Sequence, residues 1–236
     1  MAIYRDTGIV LRTIKLGESD RIVTIVSETR GKVRAVAKGV RKTKSRFGAR
    51  LEPLTHVAFQ CYEGRNLDTV TQAETLESFR GVREDLDRLG RASALLEAVD
   101  ALVQEGDEDR RIPQMLLGAL RTLEAGPAPL VVPAFFWKLL AHVGYRPLLD
   151  ECAVCGVTEG LVAFDLEAGG TLCRSCGRGT RITPDGLDLL RRMLGGDLVA
   201  VLAEEPSPAG YEVDHLATRA LEHHLERRMR SVGLLS

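Results

Sequence analysis

The chain has no run of apolar residues long enough to span a membrane, which takes roughly 20 in succession. Its longest apolar stretch, Leu130–Leu140, is interrupted by Pro133 and Lys138, so no membrane partner is expected. Nothing at the start reads as a secretory leader. Met1-Ala2-Ile3-Tyr4 passes straight into a charged, strand-like segment. A reducing, cytoplasmic compartment is the expectation, and it disfavours disulfides. There is no Gly-x4-Gly-Lys-[Ser/Thr] loop to cradle a nucleotide, and no acidic cluster of the kind a nuclease uses. His142, His215, His223 and His224 fall on predicted helices and read as boundary or solvated residues. Glu18-Ser19-Asp20 sits in a turn, where local hydrogen bonds explain it better than a metal does. No catalytic residue is expected.

Aromatic residues are scarce, 5% of the chain, and acid is missing where base is dense. Net charge is −1, but residues 1–50 hold 13 Lys and Arg against 4 Asp and Glu. The remainder of the chain is correspondingly acidic. Residues 30–50 contain nine Lys and Arg and no carboxylate. That asymmetry predicts a basic module on a more acidic body. Alternation along Lys32–Val40 puts Lys32, Arg34 and Lys38 on one face of a strand, and Arg41–Arg50 continues it with Arg41, Lys42, Lys44, Arg46 and Arg50. Such a surface matches a phosphate backbone, bound largely by counterion release. Phe47 and Tyr62 are the candidates for base stacking. With so few rings, electrostatics should dominate and sequence preference should be small.

Four of the five cysteines form two pairs, Cys152-x2-Cys155 and Cys173-x2-Cys176, seventeen residues apart. This is the spacing of a tetrahedral Zn²⁺ site in a ribbon or knuckle. With thiolates in all four positions, no site remains for a catalytic water, so one structural ion is expected. Disulfides and redox or iron–sulfur chemistry are the weaker alternatives. Gly156 and Gly177 follow the pairs, where a knuckle turn calls for a residue that tolerates positive φ. Leu161–Asp165 and Thr171-Leu172 flank a Gly169-Gly170 turn and predict a small hairpin. Cys61, alternating with Val57 and Phe59, reads as a buried core thiol.

The first 75 residues carry five strand-like runs: Gly8–Leu16, Arg21–Ser27, Lys32–Val40, Thr55–Tyr62 and Leu67–Ala73. Five short strands in that length suit a small closed barrel. From Glu74 the period lengthens. Leu86, Leu89, Leu96, Val99 and Val103 mark an amphipathic helix, and Pro113 opens another. Leu130–Val143 is apolar nearly all round, as a central helix should be. Thr183-Pro184 caps a further helix, Pro206-Ser207-Pro208 reads as loop, and Val213–Arg230 reads as the last helix. The expected class is α+β and multi-domain. A small closed five-stranded barrel (1–80) precedes a helical domain (81–150 and 181–236) that is interrupted by the four-cysteine module (151–180).

The order of these parts, and the wording GIVLRTIKLGESDRIVTIVSETRGKVRAVAKGVRKTKSRFGARLEPLT (8–55), TVTQAETLESFR (69–80), FFWKLLAHVGYRPLLDECAVCG (135–156) and GGTLCRSCGRG (169–179), resembles the bacterial RecO family. That resemblance implies an oligonucleotide-binding fold and a non-enzymatic role in DNA repair and recombination. It further implies binding of single- and double-stranded DNA, annealing of complementary strands, and association with the nucleoid. It implies RecR as a partner in loading RecA onto DNA coated by single-strand-binding protein. The acidic, apolar-ended tail of that coating protein should dock among the helices, where Arg121 and Lys138 could supply basic rims. The alternative reading is a zinc-ribbon subunit of a nucleic-acid-processing enzyme.

Overall fold

The computed structural model of the chain describes residues 2–42, 45 and 47–231. Lys44 and Arg46, both in the predicted basic surface, lie outside the described residues. Two compact units follow one another, the first ending at Gly126 and the second beginning at Pro127.

Five strands open the first unit: β1 (Ile3–Leu16), β2 (Asp20–Ser27), β3 (Gly31–Ala37), β4 (His56–Tyr62) and β5 (Asp68–Glu77). They close in the order β1-β2-β3-β5-β4, antiparallel except for the β3–β5 junction. β1 begins five residues before the predicted start. Its polar opening, Arg5-Asp6-Thr7, disguises a strand that pairs with β4 over Ile3–Ile9 and with β2 from Gly8 onward. Where β1 changes partner, a Cβ on Gly8 would stand 2.3 Å from the Val26 carbonyl oxygen. Only glycine lets three backbones meet there.

Alternation fills the interior. Val23, Ile25, Val33, Ala35, Val57, Phe59 and Val70 share one buried cluster. Cys61 belongs to it, fully buried, and burial pushes its thiol up to about 12. Helices α1 (Arg80–Glu84), α2 (Leu86–Leu102) and α3 (Arg111–Ala125) complete this unit. The Asp85 side chain caps α2 by accepting from the Arg88 N–H.

The second unit is built on α4 (Val131–His142), buried along most of its length. The hairpin β6 (Leu161–Asp165) and β7 (Gly170–Cys173) follows, with β8 (Thr180–Arg181) on the other side of β6. Then come α5 (Pro184–Gly195), α6 (Leu198–Leu202) and α7 (Pro208–Leu225). Thr183 caps α5 with Pro184 in its first turn, and Ser207 caps α7 with Pro208 in the same place. Pro206 and Ser207 are loop as predicted, but Pro208 already opens α7, which begins five residues earlier than periodicity indicates. Among the described residues no helix is long and apolar enough to cross a membrane.

Candidate functional site

The four cysteines come together in the second unit. Cys152 and Cys155 lie on the loop before β6, Cys173 ends β7, and Cys176 follows one turn later. Their sulfurs all lie within 4.8 Å of one another, and Cys155 Sγ is 3.7 Å from Cys173 Sγ. Metal–sulfur bonds of about 2.3 Å in a tetrahedron require sulfurs about 3.8 Å apart. A disulfide requires about 2.05 Å, and all five cysteines are free thiols.

Each knuckle is closed by its own backbone. The Gly156 N–H donates to the Cys152 carbonyl at 2.8 Å, and the Cys176 N–H to the Cys173 carbonyl at 3.2 Å. Backbone N–H groups also favour negative sulfur. That of Cys173, with those of Cys155 and Val154, holds the Cys152 thiol down at about 6. The Cys176 N–H lowers Cys173 in the same way. Cys176 is pushed up to about 12, chiefly by hydrogen bonding with the Cys155 thiol. A cation entering this cluster would meet two sulfurs, Cys152 and Cys173, biased toward thiolate, and would have to displace protons from Cys155 and Cys176, which are held in the opposite direction.

The two knuckle glycines serve different ends. Gly156 has φ +76°, as expected of a knuckle. Gly177 lacks a positive φ; its hydrogen is needed because a Cβ there would stand 3.0 Å from the Cys173 carbonyl.

The basic surface on the first unit is only partly the one the alternation outlines. Lys38, Arg41, Lys42 and Arg50 are exposed. Their loop is anchored at its root. The Asp20 carboxylate accepts from the Gly39 N–H at 2.7 Å, and that bond leads the causes holding Asp20 below the usual carboxylate range. Arg41 donates to the Glu18 carbonyl at 2.9 Å. Glu18-Ser19-Asp20 is thus a hydrogen-bonded turn that positions the basic loop.

Lys32 is largely buried in an ion pair, and Arg34 keeps a half-exposed one. The Lys32 side chain, 14% exposed, pairs with Asp100 of α2, which also takes Arg12 of β1 at 2.6 Å. Arg34 lies 3.5 Å from Glu105. The outward face of β3 is where the acidic end of α2 packs, and a phosphate would have to displace a carboxylate to reach Lys32.

Phe47 is no stacking platform. It is 1% exposed and joins the barrel core together with Leu51. A 3₁₀ turn, Gly48–Leu51, follows Phe47, and both side chains point inward. The cue was the spacing: two apolar residues four apart in an otherwise basic loop make one buried face. Phe47→Ala should cost about 3 kcal/mol of barrel stability. Denaturant unfolding checks this, and an unchanged midpoint would return Phe47 to the surface. Tyr62 is exposed, as stacking requires.

A cluster absent from the sequence reading lies beside these. His56, buried at the start of β4, hydrogen-bonds Glu77 of β5 at 3.0 Å. Arg121 of α3 grips the same carboxylate with two nitrogens, at 2.7 and 3.0 Å. The Arg121 fork is the main cause holding Glu77 below its ordinary range. Arg121 thus ties α3 to the barrel through Glu77, while its side chain stays 58% exposed.

Fold and site together define a protein with an oligonucleotide-binding fold and a four-cysteine ribbon set between helices, able to hold a metal ion. Residues 1–79 match the family described as "Recombination protein O N terminal", and residues 83–232 match "Recombination protein O C terminal". The chain belongs to the RecO family. Among its curated relatives, the "DNA repair protein RecO" of Nocardioides sp. is 45% identical, with 98% of each chain covered. The protein of the same name from Thermobifida fusca is 42% identical over 100% of this chain and 99% of its own. That from Rubrobacter xylanophilus is 47% identical over 90% of this chain and 87% of its own.

Proposed function

We propose that this protein is a non-enzymatic recombination mediator in DNA repair. It binds single- and double-stranded DNA through the basic loop of its barrel and anneals complementary strands. With RecR, it helps place RecA on DNA coated by single-strand-binding protein, and its contact with that coat is the coat's acidic C-terminal tail. Such a protein works in the cytoplasm, at the nucleoid. One observation carries the reading: the exposed cations Lys38, Arg41, Lys42 and Arg50 fall in a stretch of twenty-one residues, 30–50, that has no carboxylate. Surfaces that merely confer solubility mix their signs. A surface of one sign lowers the repulsion between two phosphate backbones and holds both strands without reading their bases.

The four cysteines hold one structural Zn²⁺. An all-thiolate tetrahedron suits zinc over the harder cations and leaves no position for a reacting water. The ion's work is to fix the ribbon.

Annealing tests the reading. Complementary strands coated with single-strand-binding protein should pair faster when this protein is added, in amounts stoichiometric with DNA and with no nucleotide present. Removing the coat protein's acidic tail should abolish the gain on coated strands and spare annealing of bare ones. A requirement for ATP, or multiple turnover of a changed strand, would overturn the mediator reading in favour of an enzyme subunit.

A further inference from the structure

A cavity of about 510 Å³ opens in the second unit among α4, the loop after it, β6 and α7. Three features set it apart from an ordinary surface hollow. Its wall includes Trp137, 1% exposed, whose indole N–H is buried without a hydrogen-bond partner among the described residues. A buried donor left open in this way is costly unless something visits it. At the mouth, Tyr145 is 58% exposed, yet its ring lies 3.9 Å from that of His224, tilted by 54°. Phe164 packs edge-on against Trp137, with centroids 5.5 Å apart, so the floor is aromatic as well.

Charge is divided around the rim. Arg146 uses one guanidinium nitrogen on the Leu194 carbonyl at 3.2 Å. Glu167 and Glu226 line the same cavity. A flat aromatic ligand with both donors and acceptors fits this set, provided it carries an anion on one side only. An acidic peptide does not, because its carboxylates would meet the two glutamates.

We propose that this cavity takes one unpaired nucleobase of single-stranded DNA. The base lies against the Tyr145–His224 rings, its amino edge donates to a rim glutamate, and its phosphate rests on Arg146. The inference rests on the DNA-binding reading above and adds a base-contacting site outside the barrel. Two consequences distinguish it from electrostatic binding. A base stacked inside a duplex cannot enter, so the site acts on single strands only. Cytosine, adenine and guanine, which carry an exocyclic amino group, are preferred over thymine.

Trp137 is the chain's single tryptophan, and its emission therefore reports on the cavity. The full-length protein is titrated with a short fluorescein-labelled oligodeoxycytidylate, reading tryptophan emission and label anisotropy together. The expected result is an emission change that saturates with binding. Tyr145→Ala should remove that change and weaken single-strand affinity about tenfold, with duplex affinity unaltered, while Tyr145→Phe should restore both. If anisotropy reports binding while emission stays flat and Tyr145→Ala binds normally, the cavity takes no base, and the DNA-binding reading stands without it. If anisotropy reports no binding at all, the DNA-binding reading falls and takes this inference with it. An emission change given by an acidic, apolar-ended peptide and not by the oligonucleotide would make the occupant a peptide and overturn the proposal.

Discussion

Replacing Cys173 with Ser should strip the metal from the ribbon and loosen residues 150–180, while leaving the barrel's affinity for DNA nearly unchanged. The size of the effect follows from how little else holds this segment. Its buried cluster consists of Cys152, Ala163, Leu172 and Cys173. Two of those four are ligands, so the module has almost no apolar core of its own to fall back on. Metal binding in such units is worth about 10–16 kcal/mol of apparent folding free energy. Serine offers an alkoxide precursor far harder to deprotonate than a thiol, and the fourth bond is lost. Elemental analysis of protein purified without chelator should find one zinc per chain in the parent and far less in the variant. Hydrogen exchange should rise across 150–180 and little in β1–β5. No zinc in the parent would sink the metal assignment. A large loss of DNA affinity in the variant would place the ribbon, and not the barrel, on the DNA.

The second large effect concerns the exposed cations. Reversing Lys38, Arg41, Lys42 and Arg50 to Glu together should weaken DNA binding on the order of a thousandfold at low salt, because phosphate contacts set affinity here. Each contact removed should flatten the logarithmic salt dependence by roughly 0.7 for single strands and 0.9 for duplex. Lys32 and Arg34 are left out of this set for a structural reason. Lys32→Glu would press a carboxylate against Asp100 at a position only 14% exposed. The resulting loss of stability would be mistaken for loss of binding. Reversal at Arg227 and Arg228, exposed beyond α7, is the control and should matter less. Filter binding across a salt series, with circular dichroism to confirm the fold, decides the question. Equal losses in the two variants would remove the barrel from its assigned role.

What could be read from the sequence, and what could not, follows from the range of the forces involved. Local signals are short-ranged, so β2 is visible in the β-branched run RIVTIVS, and β3 and β4 in the period-two alternation of Lys32–Val40 and Thr55–Tyr62. The cysteine spacing is likewise local, and it names all four thiols that the fold brings together. Alternation shows which side chains leave the barrel interior but not what covers them outside. Asp100 stands 68 residues from Lys32, and nothing short of the fold brings the two together. Phe47 failed for the opposite reason: its neighbours' charge spoke louder than its own spacing to Leu51. His56 was hidden because a polar residue opening a strand looks solvated until Glu77 is placed beside it. A five-residue helix such as α6 is too short for any period to register.

Gly31 deserves a longer view. It turns β2 into β3 with φ +64°, and a Cβ there would stand 2.1 Å from the Asp107 carbonyl oxygen. Its neighbour Lys32 donates its own N–H to Gln104, and Gly31 itself bridges to Glu105. The segment after α2 is thus laid along the barrel almost as an extra strand would be. Inheritance of the basic surface is consequently not confined to the residues that bear it. A lesion at 100–107, which a reader of the gene would assign to the helices, would shift the strand that leads into the basic loop proposed to meet DNA. Any exchange of barrels between related proteins would have to carry this stretch along, or leave the transplanted strand without its edge.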